Sequence, residues 1–158
     1  MLMLLLQKSR KTKEDSIQLR TVIDLREQNK NTKKLLSPLL DIKSVLRRVT
    51  SKKYKSLIDG KDTYEQIRII PEHVNRLIFN TLNETIVSEV MQLGDCNSRA
   101  TYQVLMNHIF QPYLSDWINI YLDNLVIYSD TIEDYMRHLK TIINILYKEK
   151  FYLSKHKM

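Results

Sequence analysis

Two aspartates, Asp59 and Asp123, follow short apolar segments of the sequence. Residues 54–58 predict a β-strand, and residues 117–128 alternate like a hairpin whose tight turn would be Asp123-Asn124. Carboxylates at neighbouring strand ends form a hard, oxygen-rich pocket that suits Mg²⁺ bridging to substrate phosphates. Two such ions about 4 Å apart can activate an attacking hydroxyl and stabilise the leaving oxygen in phosphoryl transfer. Asp-Gly and Asp-Asn pairs are also typical of simple turns, so the pattern alone leaves both interpretations open.

The strands and helices predicted around these aspartates indicate an α+β fold, in which a mixed or antiparallel sheet carries helices on one face. Further strands are predicted at 20–25, 75–81 and 85–93, and residues 1–6 are interpreted as a strand or as an arbitrary start inside a longer reading frame. Helices are predicted at 37–50, with Ser37 as N-cap before Pro38, at 97–110, with Asn97 as N-cap, and at 131–149. Residues 27–31 predict a polar turn, and 63–67 a short helical turn.

Length and composition exclude several classes of protein. The chain has 158 residues, which predicts one domain, and its 43% hydrophobic content is too high for a disordered tail. No apolar run is long enough to span a membrane, and Cys96 has no partner for an internal disulfide. Gly60 and Gly94 are the only glycines, which excludes glycine-rich nucleotide loops. An intracellular protein with no membrane or disulfide partner is expected, because the apolar start precedes its basic cluster, the reverse of a secretory signal.

The charge of the chain is concentrated in its first third. Residues 1–53 hold 14 Lys/Arg against 5 Asp/Glu, whereas residues 54–158 hold 11 against 13. Such polarity is expected of a protein that binds a polyanion with one part and does something else with the rest. A basic flank on an ordinary domain is the alternative that charge alone leaves open.

Five collinear blocks resemble the fingers and palm region of reverse transcriptases from gypsy-type long-terminal-repeat retrotransposons. These blocks are 20–30 (RTVIDLREQNK), 53–69 (KYKSLIDGKDTYEQIRI), 91–110 (MQLGDCNSRATYQVLMNHIF), 121–129 (YLDNLVIYS) and 151–158 (FYLSKHKM). The resemblance implies a right-hand polymerase palm with partial fingers.

The same resemblance divides the chain into two kinds of segment. Residues 1–53 and 70–93 would be fingers-like, and residues 54–69 and 94–158 palm-like, with thumb, ribonuclease H and integrase absent. The remainder of a retroelement polyprotein would then be a partner.

The resemblance implies that Asp59 and Asp123 are catalytic and bind two Mg²⁺ or Mn²⁺ ions, with the Gly60 carbonyl as a further ligand. Family members have a second aspartate after the first in the Tyr-x-Asp-Asp box, where this chain has Asn124. Asparagine offers a neutral oxygen but not the charge that binds a divalent ion strongly. We therefore expect the reaction, transfer of a nucleotide from dNTP to a primer 3′-hydroxyl, to be weak or absent.

The resemblance also implies a set of dNTP-binding residues, Lys13, Arg20, Asp62, Thr63, Tyr64 and Leu93. Arg20 would contact the triphosphate, and Tyr64 would support the sugar and exclude a 2′-hydroxyl; a half-buried core tyrosine is the alternative for Tyr64. Contacts with an RNA or DNA template–primer are expected at Lys33, Lys34, Arg99 and Gln103. Arg99 stands where family members commonly have proline. Asp24 and Arg26 are expected to form a structural ion pair.

Two other functions remain open from the sequence. The first is a retroelement remnant that binds nucleic acid without catalysis, through the basic first 53 residues. The second is an unrelated α+β interaction domain, for which the five blocks would be coincidental. Asp59 and Asp123 more than about 10 Å apart would contradict the polymerase interpretation, because two metals about 4 Å apart would have no common site.

Overall fold

The computed structural model describes residues 3–8, 18–36, 41–60, 62–81 and 83–153. The strands in these ranges are β1 (Met3–Lys8), β2 (Gln18–Ile23), β3 (Tyr54–Asp59), β4 (Ile78–Asn80), β5 (Thr85–Val87), β6 (Ile118–Tyr121) and β7 (Asn124–Ser129). The helices are α1 (Arg26–Lys30), α2 (Ile42–Thr50), α3 (Pro71–Val74), α4 (Ser98–Ile109) and α5 (Ile132–Lys148), with 3-10 turns at Asn75–Leu77 and Gln111–Tyr113.

An antiparallel sheet in the order β3-β7-β6 forms the centre of the fold. Ile58, Leu125 and Ile120 lie opposite one another in the register, and all three are buried. Because side chains alternate between the two faces of a sheet, these isoleucines and leucine mark one apolar face. On the opposite face Asn119 and Tyr128 are also buried, and Asn119 Nδ2 donates to the Tyr128 hydroxyl at 2.9 Å.

Helices α4 and α5 pack against that apolar face. Buried side chains of α4 and α5 join the strands in one cluster: Tyr102, Met106, Phe110, Ile142 and Leu146. Polar groups of the sheet also bond to α5, since the hydroxyls of Ser56 and Tyr135 lie 2.5 Å apart and Ser129 Oγ lies 2.8 Å from His138 Nδ1. The prediction of an α+β fold with helices on one face is confirmed. Among the described residues, no helix is long and apolar enough to cross a membrane.

Two smaller antiparallel pairs lie outside the central sheet, β1 with β2 and β4 with β5. Strands predicted at 75–81 and 85–93 are shorter in the structure. Residues 75–77 form a 3-10 turn, and the chain after β5 pairs instead with 67–69, where Ile69 N donates to Glu89 O and Met91 N to Ile67 O. Ser88 N still extends the hairpin by donating to Leu77 O, whereas Glu89 and Met91 bond outside it.

Helix boundaries differ from the predictions at two places. Residues 27–31, predicted as a polar turn, lie mostly in α1; the exposed Glu27–Lys30 ion pair spans one of its turns. Helix α2 ends at Thr50 as predicted but begins at Ile42, after Asp41, whose side chain accepts from Lys43 N. The predicted start at Ser37 and Pro38 lies outside the described residues.

Candidate active site

The ends of β3 and β7 bring the two predicted catalytic aspartates together. Asp59 is the last residue of β3 and lies opposite Asn124, the first residue of β7. One residue further, Gly60 N donates to Asp123 O over 3.5 Å. Asp59 therefore faces Asn124 while Asp123 faces Gly60, so the two aspartates are diagonal neighbours across the strand ends rather than directly opposed. Separation of the aspartates, which would have contradicted the polymerase interpretation, is not observed.

The hairpin turn that carries Asp123 lies one residue earlier than predicted. Tyr121 pairs with Asn124, so the two turn residues are Leu122 and Asp123 rather than Asp123 and Asn124. Leu122 has a φ of 55°, a left-handed conformation that costs a side-chain-bearing residue about 1–2 kcal/mol. The buried pairs on the apolar face set this register, because a one-residue slip would turn Ile118, Ile120, Leu125 and Ile127 toward the opposite face.

Gln103 holds this strained turn from below. Its side chain accepts from Leu122 N at 2.9 Å and donates to Ile120 O at 3.1 Å and Asn107 Oδ1 at 2.9 Å. Only 1% of Gln103 is exposed, and these bonds use both of its N–H donors and its carbonyl oxygen. This burial argues against the template contact predicted for Gln103 and assigns it a supporting role in the hairpin.

Asn124 changes the donor set at the strand ends. Its side-chain amide donates to Asp123 Oδ1 at 3.2 Å, so it bonds to the carboxylate instead of adding a third one. Within the described ranges, no group of three or more His, Cys, Asp or Glu is arranged to hold a metal ion. Two carboxylates with a backbone carbonyl still suit a hard divalent cation, but with less charge than three carboxylates would supply.

Gly60 and Thr63 form a tight turn beside the carboxylates. Thr63 is buried and its hydroxyl donates to Gly60 O at 3.3 Å, which leaves a second lone pair on that carbonyl. A Cβ on residue 60 would lie 3.1 Å from Thr63 Oγ1, closer than ordinary packing. Asp62, between them, is exposed with a φ of 44°. The chain therefore turns sharply over the site, and glycine fits where a side chain would crowd the turn.

Aromatic side chains line the floor of the site. Tyr64 is half-buried and meets Tyr102 edge to face, with ring centroids 5.7 Å apart; Tyr102 in turn meets Phe151 at 6.4 Å. Burial, followed by the negative charge of Asp123, raises the pKa of both tyrosines, and the positive charge of Arg99 partly offsets this at Tyr64. Both phenols are therefore neutral near the carboxylates.

The predicted nucleic-acid contacts Lys33 and Lys34 are exposed, and two asparagines hold their segment against the loop before α4. Asn97 accepts from Leu35 N at 2.8 Å and donates to Lys33 O at 2.9 Å. Asn29 donates to Gly94 O at 2.8 Å and accepts from Cys96 N at 2.9 Å. We call these two side chains the asparagine clasp. They bring the two lysines to the start of α4, where Arg99 lies.

The asparagine clasp and Tyr102 are the parts of the site that the sequence did not predict. Asn97 does precede α4 as predicted, but its side chain makes no capping bond because the clasp uses it. Asparagine at a helix start favours a cap, and no local pattern indicates a partner more than sixty residues away. Tyr102 lies on the apolar face of the predicted helix 97–110, where its spacing indicates a core residue and gives no sign of a role at the site.

The remaining predicted residues lie at the edges of this region or outside the described residues. Leu93 is half-buried, and Gly94 beside it has a φ of 107°, a backbone conformation that glycine adopts without steric strain. The backbone of Arg20 lies in β2 opposite Leu6. Lys13 falls outside the described residues. The predicted Asp24–Arg26 ion pair is confirmed, with Arg26 Nη2 2.6 Å from Asp24 Oδ2.

Comparison of the sequence with curated proteins finds retroelement and viral polyproteins. The chain is 29% identical over 129 residues to an "RNA-directed DNA polymerase homolog" of Oenothera berteroana, covering 80% of this chain and 91% of that one. It is 27% identical over 127 residues to a retrovirus-related Pol polyprotein from transposon 297 of Drosophila melanogaster, covering 80% of this chain but 12% of the polyprotein. The chain thus spans about a fifth or less of the polyproteins considered.

Solved structures with the same fold are foamy viral protease-reverse transcriptases. One, in complex with an RNA/DNA hybrid, has a TM-score of 0.77 at 20% identity over 86% of this chain and 18% of that chain. Another, in complex with double-stranded DNA, has a TM-score of 0.79 at 18% identity over 95% of this chain and 27% of that chain. A family model described as reverse transcriptase (RNA-dependent DNA polymerase) matches residues 10–158. The chain therefore belongs to the reverse transcriptase family, whose members generally use divalent metal ions.

Proposed function

We propose that this chain is the fingers-and-palm core of an RNA-directed DNA polymerase from a gypsy-type retrotransposon. In this proposal residues 1–53 and 70–93 are fingers-like and residues 54–69 and 94–158 palm-like. The observation that supports the function best is the register of β3 with β7, which makes Asp59 and Asp123 neighbours at one end of the sheet. Transposon polyproteins among the relatives support the gypsy-type origin, and relatives from plant viruses are the alternative source.

Asp59 and Asp123 would bind the divalent ions, with the Gly60 carbonyl oxygen, which also accepts from the Thr63 hydroxyl, as a further ligand. When bound, a pair of such ions lowers the pKa of the primer 3′-hydroxyl and stabilises the charge on the leaving oxygen. Asn124 donates a hydrogen bond to Asp123 and thereby competes for one of its oxygens. We therefore infer that the chain binds metal weakly and has low activity.

Nucleotide selection would fall to residues around the turn after β3. Tyr64 presents a half-buried ring beside Asp123, which suits contact with the sugar of a dNTP. The exposed backbone at Asp62 and the half-buried Leu93 are available to the same nucleotide. Arg20 and Lys13 are proposed to neutralise its triphosphate.

Primer extension on an RNA template, in Mg²⁺ and then in Mn²⁺, tests the polymerase proposal. Three forms are compared: the natural chain, Asn124→Asp and Asp123→Ala. We expect weak extension by the natural chain, at least tenfold more by Asn124→Asp, and none by Asp123→Ala, because one charged ligand is worth at least that much in metal affinity. Circular dichroism verifies that all three are folded. If folded Asn124→Asp extends no primer at saturating template–primer, the proposal is contradicted.

A second function, nucleic-acid binding without catalysis, is favoured by the Asn124–Asp123 hydrogen bond together with the exposed Lys33 and Lys34. Its test is the salt dependence of RNA binding, whose log–log slope reports the number of phosphates neutralised. Charge reversal at both lysines is expected to flatten the slope by about two. An unchanged slope, with Lys140→Glu on the exposed side of α5 as the matched control, contradicts this function.

A further inference from the structure

The chain that leaves α5 turns back toward the catalytic end of the central sheet. Helix α5 ends at Lys148, and Lys150 then takes a φ of 59°, a left-handed conformation that residues with a side chain disfavour. Phe151 N donates to Leu146 O at 2.8 Å and closes this turn. We call residues 151–153 the returning segment, and its tertiary contacts offset the strain of the turn.

Each residue of the returning segment contacts a different part of the candidate site. Phe151 meets the aromatic floor edge to face. Tyr152 is hydrogen-bonded through its backbone to the side chain of Gln66, and Leu153 pairs with Gly60 in an antiparallel bridge. Strand β3 lies at the edge of the central sheet, so the returning segment extends that sheet at the point where the chain leaves β3.

The side chain of Gln66 does for Tyr152 what a neighbouring strand would do. Gln66 Nε2 donates to Tyr152 O at 3.0 Å, and Gln66 Oε1 accepts from Tyr152 N at 2.7 Å. A paired strand offers the same donor and acceptor from its backbone, and an amide side chain carries both. Gln66 therefore continues by one residue the bridge between Gly60 and Leu153, although it lies 86 positions from Tyr152.

We propose that Gln66 is a positioning residue that holds the returning segment against Gly60 and thereby fixes the Gly60 carbonyl as a metal ligand. This role rests on the proposed function, because it takes that carbonyl oxygen as a ligand. On the side of β7, Gly60 N donates to Asp123 O, and the Thr63 hydroxyl donates to Gly60 O. The returning segment supports Gly60 from the other side. Mg²⁺ demands near-ideal octahedral geometry, so a displaced carbonyl lowers its affinity.

A purely structural role for Gln66 is the competing explanation, and its consequence differs. If the two hydrogen bonds only stabilise the fold, their loss lowers stability while the molecules that remain folded bind metal as before. If Gln66 positions the carbonyl, the metal affinity of the folded chain falls as well. Groups that orient a metal ligand typically contribute 10–100-fold in affinity.

The composition of the chain provides a specific probe of this carbonyl. Gly60 and Gly94 are the only glycines, so labelling with [1-¹³C]glycine gives two carbonyl signals in NMR spectra. Lys61 follows Gly60, whereas Asp95 follows Gly94. Additional labelling with [¹⁵N]lysine therefore splits the Gly60 signal alone and assigns it.

The first measurement is a titration with Mg²⁺ that follows both carbonyl signals. In the natural chain we expect the Gly60 signal to shift and the Gly94 signal to stay in place. In Gln66→Met, which removes both hydrogen bonds, we expect about tenfold weaker Mg²⁺ binding. Gln111→Met makes the same substitution at an exposed glutamine after α4 and should leave Mg²⁺ binding unchanged. Circular dichroism verifies that the variants are folded.

The second measurement needs no metal. We expect Gln66→Met to speed hydrogen exchange at the Tyr152 amide and to broaden the Gly60 carbonyl signal. Gln66→Glu keeps an acceptor for Tyr152 N but loses the donor to Tyr152 O. In this second variant the Tyr152 amide should therefore stay slow to exchange. Gln111→Glu is its matched control.

The outcomes separate the positioning role from the proposed function. Slow exchange at the Tyr152 amide in Gln66→Met overturns the hold on the returning segment. Fast exchange with unchanged Mg²⁺ affinity and a sharp Gly60 signal overturns the positioning role and leaves a structural one. If neither the folded natural chain nor Asn124→Asp binds Mg²⁺, the proposed metal site is overturned, and the role of Gln66 toward a metal with it.

Discussion

The two aspartates and the two lysines of this chain are positioned by different physical means. Asp59 and Asp123 lie at strand ends whose register is set by fully buried side chains such as Ile120 and Ile127. Lys33 and Lys34 lie on an exposed segment that the four hydrogen bonds of the asparagine clasp attach to the loop before α4. Substitutions on the surface leave the buried side chains that set the strand register in place. The hydrogen bonds of the clasp instead depend on single side-chain amides, and each contributes about 1 kcal/mol.

This difference predicts how each property is lost. Metal binding should persist until the sheet or its hairpin turn is disturbed, because the register of buried strands places the aspartates. Nucleic-acid binding should weaken when single polar side chains are removed, with the fold intact. The variants below are chosen to separate the two, beginning with the largest effect.

Truncating the core beneath the hairpin should have the largest effect on stability. Ile127 is 0% exposed on the apolar face of β7, so we expect Ile127→Ala to lower the free energy of unfolding by about 2–5 kcal/mol in urea titrations. The matched control is Leu57→Ala on β3, because Leu57 is 57% exposed on the opposite face. Equal losses in both variants would show that the buried face does not set the register.

Removing the support of the strained turn should cost less stability but more function. We expect Gln103→Met to lower the free energy of unfolding by about 1–3 kcal/mol, because Leu122 N and Ile120 O lose their buried partner. The turn that carries Asp123 would relax from its positive φ, so Mn²⁺ affinity, measured by electron paramagnetic resonance, should fall about tenfold.

The neighbouring exposed residue provides the control for Gln103. Val104→Met introduces the same side chain one position along α4, where 60% of the valine is exposed, and should change neither quantity. A stable Gln103→Met with unchanged Mn²⁺ affinity would mean that the register alone holds the turn, and would leave the template contact predicted for Gln103 as its remaining role.

The sequence predicted the central sheet well because its signals are local. Alternation over 117–128 and the apolar spacing of 131–149 specify one buried face each, and both elements are found as β6, β7 and α5. The turn was predicted one residue late because asparagine and aspartate were expected to take the positive φ. Core packing instead places Leu122 there, at a strain that tertiary contacts offset.

The site was predicted in part for the same reason. Asp59, Asp123 and Tyr64 follow directly from strand ends and a family pattern, so their neighbourhood was predictable. The clasp was not, since Asn29 and Asn97 join segments that are distant in sequence through side-chain amides. Gln103 was predicted as a template contact from the resemblance, and only the fold shows that its side chain is 1% exposed and bonds to the backbone of the hairpin.

Opening the asparagine clasp should loosen the lysine segment and little else. We expect Asn97→Ala to cost about 1 kcal/mol of stability while speeding hydrogen exchange at the Leu35 amide, which loses its acceptor. RNA affinity should fall, and Mn²⁺ affinity should not. Asn144→Ala on the exposed side of α5 is the control. If Mn²⁺ affinity fell as well, the aspartates and the lysine segment would be coupled, and the two regions would not be positioned independently.

The smallest effect is expected from the exposed ion pair at the start of α1. The side-chain hydrogen bond from Arg26 lowers the pKa of Asp24 from 3.8 to about 2. The small contribution of this pair to stability is therefore present in full above pH 3.8 and is lost as the pH falls toward 2. In ¹³C titrations of the Asp24 carboxyl, Arg26→Met should return the midpoint toward 3.8, whereas Lys30→Met, which breaks the neighbouring pair with Glu27, should leave it unchanged. Because the pair is exposed, neither variant should measurably change the urea midpoint at pH 7; a clear loss there would mean that this end of α1 is fixed by charge as firmly as the aspartates are fixed by the core.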